Sequence, residues 1–335
     1  MRRLPVYMLI DCSESMAGTA IESTNAAIRN MVQDLRSIPH ALETVAMSVI
    51  AFSGDARLLV PLTPIDMFQL PALTIRPGTS LGRALDLLMA CISMDIVKST
   101  SDCKGDWRPL VFLFTDGQPT DDWRGAVQRL KGLTSPRIAN IYAIGCGDDV
   151  DFSVLREITD IVFKTQSEDG EAIRRAFVWI TASVQSASTG LMEGTCRLPE
   201  LNQNSGLKEM PKDECVPASE PRQVFIHAKC SRSRQDYLMR FVRGEVGGPY
   251  VATAAHKLAG CESGFGTRLP VVQSAGLAGV PACPYCGNSC AAVCGCGGAM
   301  CIGVGAPEGV ICPHCGTEQR GGFAAGNFDI RQSAG

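Results

Sequence analysis

Two sets of side chains in this sequence have types and spacings that could do chemistry: oxygen donors near the start and cysteine pairs near the end. The first begins in Val6-Tyr7-Met8-Leu9-Ile10-Asp11-Cys12-Ser13-Glu14-Ser15. The apolar run Val6 to Ile10 suits a buried parallel strand and is too short for a helix core. Asp11, Ser13 and Ser15 follow at once, two apart. Loops at the carboxyl ends of strands line the ligand crevice of an open α/β sheet. One carboxylate and two hydroxyls placed there form the oxygen-only cluster that a hard cation such as Mg²⁺ prefers. Two later loops extend it. Arg76-Pro77-Gly78-Thr79-Ser80 precedes Leu81, Leu85, Leu88, Ile92 and Ile96 at helical spacing, so Thr79 is expected at an N-cap. Phe114-Thr115-Asp116-Gly117-Gln118-Pro119 ends a second apolar run, Leu110 to Phe114, on another acid.

The second set is sulfur. Of sixteen cysteines, eight lie between Cys283 and Cys315, a density that points to metal rather than to disulfides. Cys283-Pro284-Tyr285-Cys286-Gly287 and Cys312-Pro313-His314-Cys315-Gly316 are two copies of one knuckle. In each, two thiolates aim at one point and the glycine permits the tight turn behind them. Cys283, Cys286, Cys312 and Cys315 are therefore expected to hold one structural Zn²⁺. Cys290, Cys294, Cys296 and Cys301 in the connecting arm either form a second zinc site or pack. The Cys283–Cys294 spacing also glances at an iron–sulfur run, but its second gap is one residue too long. His314 is expected to point outward. Cys12, Cys91 and Cys146 sit in apolar surroundings and read as small core residues.

The elements that must position these groups alternate. After the first strand come an amphipathic helix ending near Pro39, a strand over Val45–Phe52 and an antiparallel edge strand over Arg57–Leu62. The helix after Thr79, the Leu110 strand, a helix from about Asp121 to Lys131 and a strand over Ile138–Ile144 follow. Asp121 and Asp122 read as acids of a helix's first turn rather than as ligands. The glycines after Ile144 lack the pattern of a dinucleotide fingerprint. Val162-Phe163 is a short last strand, and a closing helix runs from Glu168 to about Ser188. Strand–helix alternation implies a doubly wound, mostly parallel sheet covered on both faces. The expected division is an α/β domain over 1–188, a linker over 189–221, a small β-rich module over 222–281, a zinc ribbon over 282–318 and a flexible tail over 319–335.

Composition narrows the function classes. Thirty-one basic against 34 acidic residues, net −3, give no overall pull toward nucleic acid. Between Cys283 and Cys315 there is no Lys or Arg, which argues against phosphate-backbone binding by the ribbon. No stretch approaches the ~18 apolar residues of a membrane span. The basic, apolar start stops at Asp11 without a cleavage site, so a cytoplasmic location is expected. No Gly-x-Ser-x-Gly elbow, P-loop or His-Glu-x-x-His helix occurs, and the cluster loops contain no histidine to serve as a base. Metal-assisted phosphohydrolysis and a nucleic-acid adaptor role are the alternatives to a non-enzymatic binding module.

Asp-x-Ser-x-Ser, then a Gly-Thr-Ser helix start, then Thr-Asp-Gly, in this order, resembles the metal-ion-dependent adhesion site of von Willebrand factor type A domains. That resemblance implies Asp11, Ser13, Ser15, Thr79 and Asp116 as the ligands of Mg²⁺ or another divalent cation. Followed by a small module and a Cys-Pro-x-Cys-Gly ribbon, the whole resembles the TerY family of bacterial tellurium-resistance-associated proteins. Members of that family are typically encoded beside a protein kinase and a PPM-type protein phosphatase. The resemblance thus implies a scaffold or regulator in a stress-linked phosphorylation system, binding a partner through its acidic or phosphorylated side chain.

Overall fold

A computed structural model describes residues 2–102, 104–115, 118–135, 138, 140–146, 150–165, 170–193, 199, 201, 205–210, 223–243, 248–258, 271–303, 310–319 and 329–331. The chain divides into two compact units: residues 1–12, 18–73 and 79–218 form the first, and residues 13–17, 74–78 and 219–335 the second.

The first unit follows the alternation in the sequence. Its elements are β1 (Leu4–Asp11), α1 (Thr19–Arg36), α2 (Pro39–Thr44), β2 (Val45–Phe52), β3 (Ala56–Pro64), α3 (Leu81–Asp95) and β4 (Leu110–Thr115). Then come α4 (Trp123–Lys131), β5 (Asn140–Gly145), α5 (Phe152–Ile158), β6 (Val162–Thr165), α6 (Gly170–Glu193) and β7 (Leu207–Glu209). The seven strands lie in the order β3-β2-β1-β4-β5-β6-β7. All neighbours are parallel except the two edge pairs, β2–β3 and β6–β7.

Every residue of β1, β2 and β4 is buried, as helices on both faces require. On one face Tyr7, Leu9, Val111 and Leu113 meet Leu85 and Leu88 of α3 and Val127 of α4. The other face is aromatic. Phe112 stacks on Tyr142 at 5.1 Å, and Phe114 and Phe163 meet Phe177 and Trp179 of α6 at 5.4 and 5.0 Å. Burying such rings contributes more than area alone, by about 0.5–1.5 kcal/mol per well-placed pair.

Two boundaries differ from the sequence reading. The expected linker contains β7, whose Leu207 pairs with Thr165 and completes the first sheet. Three residues without a hydrophobic period carry too little local signal to be read as a strand; only the exposed edge of β6 recruits them. Asp121 also changes role. It does not begin α4. Its Oδ1 and Oδ2 accept the Gly82 and Arg83 N–H groups at 3.0 and 2.9 Å, capping α3, while Asp122 caps α4. Thr79 is not the cap, and the N-cap residue Ser80 makes no side-chain capping bond. Gly82 is needed at this junction, because a Cβ there would stand 2.8 Å from the Asp122 carbonyl. Asp121→Ala is expected to cost about 1 kcal/mol, the usual loss for an N-cap, read as a fall in midpoint on urea unfolding.

The second unit is built from short strands: β8 (Gln223–Lys229), β9 (Asp236–Arg243), β10 (Tyr250–Lys257), β11 (Val271–Gln273) and β12 (Leu277–Ala278). β13 (Cys290–Val293), β14 (Ala299–Ile302), β15 (Val310–Ile311), β16 (Glu318–Gln319) and β17 (Asp329–Arg331) complete it. Six strands form one sheet in the order β12-β10-β9-β8-β14-β13. The expected β-rich module and ribbon are therefore one body, joined where Ala299 and Met300 of β14 pair in parallel with Ala228 and Lys229 of β8. Part of the expected tail is also structured, since β17 pairs with β11.

Candidate metal centres

The oxygen site grows from the carboxyl ends of β1 and β4. Asp11 is the last residue of β1 and is fully buried. β1 and β4 are neighbours in register Ile10–Phe114, so Thr115 lies beside Asp11, and its hydroxyl donates to Asp11 Oδ2 at 2.5 Å. That bond fixes one carboxylate oxygen and with it the orientation of the other. In the loop after β1, the Ser13 and Ser15 hydroxyl oxygens lie 2.9 Å apart, as the two-residue spacing requires for donors that converge. The backbone of Thr79 is held by Thr120: its N–H donates to Thr120 Oγ1 at 3.2 Å, and its carbonyl accepts the Thr120 N–H at 2.9 Å.

Thr79 Oγ1 itself is buried and has no hydrogen-bond partner among the described residues. An unsatisfied buried hydroxyl costs about 1–3 kcal/mol, so it calls for a group that accepts its lone pair. A divalent cation is such a group, and an all-oxygen donor set is the chemistry a hard cation takes. Asp116, the remaining expected ligand, lies outside the described residues. Thr115, Thr120 and Glu14 escaped the sequence reading. Each acts through neighbours that only the sheet and loops bring close.

The cysteines form two clusters. Cys230, Cys283, Cys286 and Cys301 make one; Cys294, Cys296, Cys312 and Cys315 make the other; in each, all sulfurs lie within 4.8 Å of one another. Cys286 and Cys301 sulfurs are 3.5 Å apart, Cys294 and Cys315 3.7 Å, and Cys296 and Cys312 3.9 Å. Four sulfurs at such separations match the tetrahedral set of a structural zinc site. The two Cys-Pro-x-Cys knuckles thus belong to different clusters, which corrects the expectation that Cys283, Cys286, Cys312 and Cys315 share one ion. The reason is the pairing of β14 with β8: it carries Cys301 to Cys230 at the end of β8 and supplies the first knuckle with its missing ligands. Cys290 belongs to neither cluster.

The turns explain why these cysteines converge. In each of three of them, a backbone N–H four residues on donates to the cysteine carbonyl: Arg234 to Cys230 (2.9 Å), Gly287 to Cys283 (2.8 Å) and Gly316 to Cys312 (2.9 Å). The donating residue has φ of +60°, +76° and +75° respectively, a region that favours glycine. Cys230 therefore sits in a knuckle whose glycine position is Arg234 and whose second cysteine position is Ser233. Without the second cysteine and the glycine, the sequence does not advertise it.

Local donors also tune the thiols. Burial raises the Cys230 thiol, but hydrogen bonds from Ser233 and the Arg232 and Ser233 backbone outweigh it and bring it down to about 6. The Thr317 hydroxyl and N–H bring Cys315 to about 6. Burial pushes Cys283 up to about 12. His314 does not point outward: its Nε2 lies 2.8 Å from the Ala299 carbonyl, and its ring packs over Gly298. Cys12, Cys91 and Cys146 are buried, as expected of core residues.

The clusters differ in access. In the first, three cysteines are buried and Cys286 is half-buried; in the second, Cys296 and Cys315 are exposed. A zinc-loaded chain is therefore expected to release metal to a colorimetric chelator in two phases, the faster from the second cluster. Cys296→Ser should remove the fast phase alone, measured as zinc equivalents per chain.

These features define a metal-binding protein with a von Willebrand type A fold. The von Willebrand factor type A domain matches residues 6–174, just over half of the chain, and the chain belongs to that family. The TerY-C metal binding domain matches residues 220–335. Among solved structures, the ArnB paralog VWA2 from Sulfolobus acidocaldarius is 20% identical over 53% of this chain and 45% of its own, with a TM-score of 0.41. Proximal thread matrix protein 1 from the mussel byssus, with a zinc-occupied MIDAS motif, is 16% identical over 54% of this chain and 45% of its own, with a TM-score of 0.38. A von Willebrand factor type A protein from Catenulispora acidiphila is 15% identical over 77% of this chain and 66% of its own, with a TM-score of 0.42. The chain spans about half the length of the first two. At these identities and scores the likeness says nothing about ligand or activity. Among the described residues, no helix is long and apolar enough to cross a membrane.

Proposed function

We propose that the protein is a non-enzymatic, metal-dependent binding scaffold or regulator. In this reading Asp11, Ser13, Ser15, Thr79 and Asp116 hold Mg²⁺, and a partner protein's carboxylate or phosphate completes the coordination. The observation that carries it is the buried Thr79 hydroxyl with no partner among the described residues, in a loop fixed on both sides. Mg²⁺ takes six oxygens at about 2.1 Å and keeps several waters when protein donors are few. Three of the five donors are neutral hydroxyls, so only two carboxylates offset the charge, and the bound ion would favour an anionic ligand from outside.

The two cysteine clusters serve structure in this reading, because a zinc with four thiolates has no open position for chemistry. The likeness to the TerY family makes a protein kinase or a PPM-type phosphatase of a tellurium-resistance-associated, cytoplasmic stress system the first candidate partner. Neither nucleic acid nor membrane enters the proposal.

The test is capture of partners on the full chain with Mg²⁺ and with chelator, followed by calorimetry of the purified pair. Binding that requires Mg²⁺ supports the reading. Equal affinity in chelator would place the interface away from these residues.

A further inference from the structure

Glu14 is the position in Asp11-Cys12-Ser13-Glu14-Ser15 that the metal reading leaves unused, and it is a fully buried carboxylate. Burying a carboxylate is costly unless donors compensate it. One donor is the N–H of Gly78, 2.8 Å from Glu14 Oε2. Gly78 has φ of +88°, a conformation that only glycine enters without strain, and it directly precedes Thr79. The Thr79 peptide is in turn held by Thr120 from the other side. Sixty-four residues separate Glu14 from Gly78, so this bond ties the first metal loop to the second.

We propose that Glu14 is a positioning residue for the metal site, tying the Arg76–Thr79 loop to the Asp11–Ser15 loop so that the Thr79 hydroxyl stands where the ion needs it. The inference rests on the Mg²⁺ reading above and adds a residue to it. Glu14 opens the short 3-10 turn Glu14–Met16, between Ser13 and Ser15, and is not one of the expected ligands. Its carboxylate is anchored to a backbone amide, and it acts on the ion through Thr79. A positioning partner of a metal ligand typically changes metal affinity by about 10–100-fold when removed.

The experiment is Mg²⁺ calorimetry on the full chain with Glu14→Ala and Glu14→Gln, together with amide exchange at Gly78 in the metal-free protein. Glu14→Ala should weaken Mg²⁺ binding by about tenfold or more. Glu14→Gln keeps a carbonyl oxygen to accept the Gly78 N–H and should restore most of the affinity. Gly78 should be protected from exchange in the wild type and in Glu14→Gln, and exposed in Glu14→Ala. Unchanged affinity in Glu14→Ala overturns the proposal, and so does a Glu14→Gln as weak as Glu14→Ala, which would make the charge the active feature. If Glu14→Ala does not fold, a freely exchanging Gly78 in the wild type overturns it. A wild-type chain that binds no Mg²⁺ defeats the metal reading instead, and the Gly78 exchange still reports whether the tie exists.

Discussion

Cys301→Ser is expected to unfold the second unit while the helical signal of the chain persists. Cys301 is buried on β14, and it is the strand that joins the first knuckle to Cys230. Its sulfur also accepts the Ser231 N–H at 3.3 Å. Structural zinc contributes about 10 kcal/mol or more to folding a small domain. A net stability of about 5–15 kcal/mol does not survive that loss. Among the described residues every α-helix lies before Ala218, so circular dichroism should keep its helical bands while the β-rich unit becomes protease-sensitive. Elemental analysis should fall from two zincs to one or none. A variant that keeps two zincs and resists protease would show that Cys301 is a packing residue and not a zinc ligand.

Asp11→Asn carries the second large effect, on Mg²⁺ and on the partner together. The substitution preserves shape and leaves an oxygen to accept the Thr115 hydroxyl, so the fold should hold. In the proposed site it removes one of the two expected carboxylate ligands, Asp11 and Asp116. Losing a buried, charge-assisted contact of this type costs about 2–5 kcal/mol, enough to take a micromolar complex beyond detection. The expected result is an unchanged melting temperature without metal, no Mg²⁺-dependent stabilisation, and no partner binding in Mg²⁺. Partner binding at wild-type strength would separate the interface from the ion and leave the oxygen site a structural one.

The sequence determined what depends on periodicity and short spacing. Fully apolar runs at Val6–Ile10 and Leu110–Phe114 are too short for a helix core and suit strands buried on both faces, so the doubly wound sheet and the place of Asp11 at a strand end followed from local pattern. Ser13 and Ser15, two residues apart in one turn, were legible as converging donors for the same reason. The two Cys-x-x-Cys-Gly turns were legible because a positive φ at the glycine is a local requirement, and Gly287 and Gly316 meet it.

Only the tertiary structure decided which knuckle shares metal with which cysteine. Thiolate partners are chosen by strand pairing, and the parallel contact of β14 with β8 joins residues some seventy positions apart. Cys230 has no second cysteine and no glycine in its turn, so nothing local marks it. Asp121 looks like the start of its own helix, yet it caps α3 because the loop after β4 meets the start of α3 there. β7 is three residues that become a strand only against β6. In each case the deciding free energy is a long-range hydrogen bond or a shared ion. Such terms leave no trace in the residues on either side of a position.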